Sequence, residues 1–315
     1  MTNQLLTEES DPQFAQLDRL ATEELLRLMN EADAGVPAAV AAEIPRITQA
    51  VDAIAGALEG GGHLFYIGAG TSGRLGVLDA SEIPPTFGVP STLVQGIVAG
   101  GSSALSRATE ASEDDREAGA RDLLNAGFGP GDALVGIAAS GRTPYVLGAV
   151  AKAREMGGIT CGVSCNPESE LSRAVEYPIE PRTGPEVVAG STRLRAGTAT
   201  KLVLNMISTA VMIRLGHVYG NLMVNVQPGN HKLEARAVGI IQQASVRGAG
   251  TGNSGGISRE RALELLNAAG RNVRTAIVME SRGVSRGEAE RLLEAAKGRL
   301  REVLGSAEIP ARGSQ

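Results

Sequence analysis

Tryptophan is absent from this 315-residue chain, and phenylalanine and tyrosine occur only four times each. Bases have no stacking platform here, and a net charge of −5 leaves no basic face for a phosphate backbone. Both lacks argue against a nucleic-acid binder. Two cysteines, Cys161 and Cys165, are too few for a disulfide framework and read as small buried residues in a reducing compartment. The three histidines, His63, His217 and His231, are scattered, so no metal site is expected. The longest apolar stretch, Leu202 to Ile213, is too short to span a bilayer and contains Asn205. It reads as a buried helix or a subunit contact. The first residues are polar and soon acidic, unlike a signal peptide. The expectation is a cytoplasmic protein with no membrane partner.

Glycine is abundant, with 41 residues, and the chain is apolar enough for a large core. Short apolar runs near 64–67, 93–98, 133–138, 159–164 and 177–180 read as strands covered on both faces. Helices are expected between them near 71–80, 103–125, 144–156 and 196–216, which makes an α/β fold. Residues 1–45 form a helical arm in which Thr22 caps the first helix, and 46–230 the main domain. A linker and connecting helix follow over 231–256, where Gly248 to Gly256 is glycine-rich. Three short helices, 258–269, 271–281 and 285–304, complete a module at 257–315.

Two strands run straight into glycine turns that carry hydroxyls. Gly68-Ala69-Gly70-Thr71-Ser72-Gly73-Arg74 follows the first. Ser140-Gly141-Arg142-Thr143-Pro144 follows the third, with Thr143 and Pro144 in the N-cap and N1 positions of a helix. A helix start gathers unpaired N–H groups and the positive end of a dipole, which suits a phosphate. The first turn also fits G-x-G-x-x-G. A dinucleotide site needs an acid at the end of the next strand, and Ala99-Gly100-Gly101 stands there instead. The hydroxyls of Thr71 and Ser72 favour a sugar phosphate.

Three further segments carry chemistry. Glu82, in Asp79-Ala80-Ser81-Glu82-Ile83-Pro84-Pro85, is expected where prolines end a helix. A carboxyl at that end of the dipole holds its proton, which suits a general acid, although an exposed turn glutamate fits the same pattern. Glu113 lies in an acidic helical run with Arg116 and Arg121 as partners, where a solvated face is the plain alternative. The dense segment from Gly184 to Lys201 holds serines and threonines able to cap a helix or bind ligand oxygens.

Together, Gly68–Arg74 with Asp79-Ala80-Ser81-Glu82, the Ala139–Pro144 turn and the 184–201 block resemble the N-acetylmuramic acid 6-phosphate etherases of the sugar isomerase domain superfamily. The resemblance runs over nearly the whole chain. It implies a doubly wound five-stranded parallel sheet, a small three-helix C-terminal module, a homodimer, and no metal or organic cofactor. It implies cleavage of the ether between D-lactate and C3 of a phosphosugar. It places the two catalytic glutamates at Glu82 and Glu113. The substrate-binding set is then Gly70, Thr71, Ser72, Ser140, Gly141, Arg142, Thr143, Glu186, Ser191 and Thr192. The family usually has Lys where this chain has Arg195.

Such a reaction follows from elementary chemistry. Opening the sugar ring makes C1 an aldehyde, so the C2 proton is acidic and the C3 oxygen becomes a β leaving group. Glu113 is expected to take the C2 proton and Glu82 to protonate the departing lactate, the two carboxyls converging over the open sugar. One rival is a regulatory binder like the glucokinase regulatory protein, which is larger and has two such domains. Another is an aldose–ketose isomerase, which shares the phosphate turns and the C2 base.

Overall fold

The computed structural model describes residues 5–107, 112–248 and 256–305. Most of the Gly248–Gly256 loop, and Glu110 of the acidic run, lie outside the described residues. The chain divides into two compact units: Met1–Glu82 with Pro90–Val211, and Ile83–Val89 with Met212–Gln315.

The first unit is built on five strands: β1 (Leu64–Gly68), β2 (Val94–Val98), β3 (Ala133–Ile137), β4 (Ile159–Val163) and β5 (Tyr177–Ile179). All pair in parallel, in the order β2-β1-β3-β4-β5. Every residue of β1 and β3 is buried, which explains why these strands read as continuous apolar runs. Helices α1 (Thr22–Ala34), α2 (Val36–Ala41) and α3 (Ile44–Glu59) precede the sheet. Between and after its strands come α4 (Gly70–Phe87), α5 (Arg116–Asn125), α6 (Pro144–Glu155), α7 (Glu170–Ala174) and α8 (Arg195–Arg214). Phe65, Ile67, Leu134, Leu123, Tyr145 and Val146 share one core between the sheet and α5–α6.

Several expected boundaries move. Ala21, not Thr22, is the N-cap of α1, and it has no capping side chain. Helix α4 runs past Pro84 and Pro85 to Phe87. Proline removes an N–H, yet Ile83 and Phe87 are each 4% exposed, and their burial outweighs the two lost bonds. The single helix expected over 103–125 is a 3-10 turn at Gly101–Leu105 and a separate α5. Asp115 starts α5 by accepting the N–H of Ala118 at 2.8 Å.

The second unit holds α9 (His231–Gly248), α10 (Arg259–Ala268), α11 (Val273–Arg282), α12 (Arg286–Ala295) and α13 (Leu300–Leu304). Its core gathers Val238, Ile241, Leu266, Ile277 and Leu300. The last of the three expected helices is interrupted between Ala295 and Leu300. Lys297 (φ 50°) and Gly298 (φ 77°) turn left-handed there.

Candidate active site

Strands β1 and β3 are neighbours, with Gly68 opposite Ile137. The chain leaves β1 toward β2 on one side and resumes at β3 on the other, so their carboxyl ends flank the switch point of the sheet. Both glycine turns emerge at this point. The first opens α4 at Gly70, whose φ of +52° is left-handed. Thr71 and Ser72 follow in the first helical turn, where backbone N–H groups have no acceptor inside the helix. The second turn opens α6. Gly141 has φ +69°, and a Cβ there would overlap the side chain of Ser169. The Ser140 hydroxyl accepts the N–H of Arg142 at 3.3 Å and keeps its own proton to donate. Thr143 is the N-cap of α6 without a capping side-chain bond, and Arg142 is exposed.

A third helix start adjoins them. A Cβ on Gly197, in the first turn of α8, would lie 3.6 Å from Thr71 Cγ2. Ser191 and Thr192 sit just before α8 in a tight loop, their N–H groups donated to Val188 and Gly190 carbonyls. Glu186 is 1% exposed, and its two oxygens accept the N–H groups of Arg195 and Ala196, both at 2.9 Å. Burial raises its pKa, and the two N–H bonds pull it partly back. Its carboxylate is therefore spent on capping α8 and holds the loop that carries Ser191 and Thr192.

Sequence reading missed the support behind these loops. Asn166 donates to the Ala139 carbonyl at 2.9 Å and to Thr7 Oγ1 at 3.0 Å. Thr7 is fully buried, and its carbonyl accepts the Gly190 N–H at 3.2 Å. The Arg74 guanidinium donates to the carbonyls of Ala104 and Arg107. The Arg195 guanidinium donates to the Pro185 carbonyl at 2.8 Å.

Glu113 lies outside any helix, in the turn before α5. Its carbonyl accepts the Tyr145 N–H from the first turn of α6 at 3.1 Å. Its Oε1 would be 3.2 Å from a Cβ on Gly70. One glutamate thus spans the starts of α4 and α6.

Glu82 is elsewhere. It is exposed, and it stands five residues before the end of α4, so the expected helix-end placement does not hold. It is twelve residues from Gly70 along an unbroken helix, about 18 Å at 1.5 Å per residue. A glutamate side chain reaches about 5 Å, so the two carboxyls do not converge within one chain. Glu82 lines a cavity of about 160 Å³ with Leu75, Leu78, Lys201 and Leu204. One turn earlier, Asp79 is 6% exposed, and its Oδ1 accepts Asn205 Nδ2 at 2.7 Å and Ser208 Oγ at 3.2 Å. These bonds tie α4 to α8.

A family model described as the glucokinase regulatory protein N-terminal SIS domain matches residues 46–154. N-acetylmuramic acid 6-phosphate etherase of Rubrobacter xylanophilus is 52% identical over 275 residues, covering 87% of this chain and 88% of that protein. The chain belongs to the N-acetylmuramic acid 6-phosphate etherase family. The etherase of Escherichia fergusonii is 48% identical over 300 residues, covering 95% of this chain and 97% of that protein. Among solved structures, a phosphoheptose isomerase from Francisella tularensis superposes with a TM-score of 0.50 at 20% identity. The match covers 62% of this chain and all of that one, and shows a shared fold. In this chain the Arg195 cation braces the 185 loop.

Proposed function

We propose that this etherase cleaves the lactyl ether of N-acetylmuramic acid 6-phosphate, giving N-acetylglucosamine 6-phosphate and D-lactate in cytoplasmic recycling of cell-wall sugars. The phosphate docks on the N–H groups and hydroxyls of Gly70, Thr71, Ser72, Ser140 and Thr143. In the open-chain sugar, Glu113 takes the C2 proton and the electron pair enters the C1 carbonyl. The enolate then expels the C3 oxygen, and a carboxylic acid, Glu82, gives lactate its proton. Water adds to C3 of the unsaturated aldehyde as the resulting carboxylate takes its proton, and the Glu113 acid returns one to C2. Atoms balance as net hydration. The working particle is a homodimer.

The observation that carries this reading is Glu113, its carboxylate over the start of α4 and its backbone bonded to the start of α6. Incubation with N-acetylmuramic acid 6-phosphate in D₂O tests it. D-lactate appears with deuterium at C2 of the product. An isomerase would exchange hydrogen at C2 and release no lactate, and that result would replace this reading.

A further inference from the structure

The departing group is a small α-hydroxy acid: a methyl, a carboxylate, and the oxygen that receives a proton from Glu82. The surroundings of Glu82 must then suit an anion and a methyl group together. Its cavity of about 160 Å³ offers both surfaces. The apolar walls are Leu75 and Leu78 of α4 and Leu204 of α8. The cation is Lys201, in the second turn of α8. Glu82 and Lys201 share one space, yet among the described residues neither has an ion-pair or hydrogen-bond partner. A mostly apolar cavity with two unjoined polar groups has the make-up of a small-ligand site. Asp79 stands on the same wall with its charge already engaged. Its Oδ1 accepts from Asn205 Nδ2 at 2.7 Å and Ser208 Oγ at 3.2 Å, and its Oδ2 is buried.

We infer that this cavity seats the lactyl group, with the Lys201 ammonium on its carboxylate and its methyl against Leu75, Leu78 and Leu204. This rests on the ether-cleaving reading above. Connectivity requires the pairing. The lactyl carboxylate hangs on the carbon that bears the ether oxygen, so the acid for that oxygen and the cation for that carboxylate must be neighbours. Glu82 and Lys201 are neighbours on facing helices. A lysine suits the task, since its ammonium is a compact charge with three donors on a flexible stem. The bound carboxylate also occupies the ammonium and sets an anion beside Glu82, which favours the protonated form that an acid needs. Asp79 ties α4 to α8, so Lys201 goes wherever Glu82 acts. A free lactyl carboxylate thereby becomes part of recognition, and an amide of that carboxyl is refused.

A cycle of two enzymes and two substrates tests this. The substrates are N-acetylmuramic acid 6-phosphate and its lactyl primary amide, which keeps the shape and drops the charge. The enzymes are the wild type and Lys201→Met, which keeps an apolar stem and drops the ammonium. The wild type cleaves the acid with kcat/KM about tenfold above the amide, the share of one hydrogen bond to a charged group. In Lys201→Met the preference disappears, because the acid falls to the level of the amide. Lys201→Arg restores the preference. A role for Lys201 in folding alone would slow both substrates equally and leave their ratio untouched. A wild type that treats acid and amide alike would overturn the inference, and that comparison needs no variant. A Lys201→Met enzyme that keeps the wild-type ratio would overturn it too. Equal cleavage of the two substrates leaves the ether-cleaving reading standing, whereas a wild type that releases no lactate from either removes that reading and this inference with it.

Discussion

Tyr145 donates its backbone N–H to the carbonyl of Glu113 at 3.1 Å. The same residue donates its phenol to Asp122 Oδ2 at 2.7 Å, and its ring is fully buried. The residue that fixes Glu113 is therefore held between α5 and α6 at both ends. Replacing Tyr145 by Phe keeps the backbone bond and removes the phenol bond. Stability falls by about 1–2 kcal/mol in urea titration, because water reaches the half-buried Asp122 in its place. The slackened support lowers kcat while KM for the phosphosugar holds.

The roles proposed for the two glutamates separate by isotope. Glu113→Gln releases no lactate and incorporates no deuterium at C2. Glu82→Gln still exchanges C2, but lactate release drops by about 10²–10⁴-fold, the usual share of one proton-transfer group. Normal exchange in the Glu113 variant, read by NMR in D₂O, would remove it as the base.

Gly141→Ala combines a left-handed backbone with a methyl group driven into Ser169. The cost is about 3 kcal/mol or more. Calorimetry should show the thermal midpoint down by roughly 6–12 °C. What remains folded binds the phosphorylated sugar with a raised KM.

Glu180 gives a pH signature. Burial pushes its pKa up, but bonds from Ser172, Arg46 and the Glu168 N–H outweigh that and hold it below the ordinary 4.5. The folded value is lowered, so the ionised group stabilises above the unfolded pKa. That stabilisation is lost as pH falls through the folded value. Comparison of wild type with Glu180→Gln by chemical denaturation should show a gap that is constant near neutrality and closes below 4.5.

The sheet was legible because each strand is a short apolar run buried on both sides, as Leu64–Gly68 is. The two turns were legible because glycine is needed where φ is positive, at Gly70 and Gly141. Local rules failed where distant packing overrode them. Nothing near Pro84 says that Ile83 and Phe87 are buried strongly enough to carry the helix onward. Asp115 as a cap was readable, and would have placed Glu113 outside a helix. Gly298 likewise marks the stop between α12 and α13. The capping role of Glu186 was not readable, because its partners stand nine and ten residues away across a loop. Nor does spacing along the chain show that Glu82 and Glu113 point to different places.

Thr7 lies where few would protect it when designing an expression clone. Its side chain meets the amide that steadies Ala139, and its carbonyl steadies Gly190. Trimming the chain to start at residue 9 would therefore loosen two loops of the proposed site at once, whereas a purification handle added upstream leaves those bonds in place.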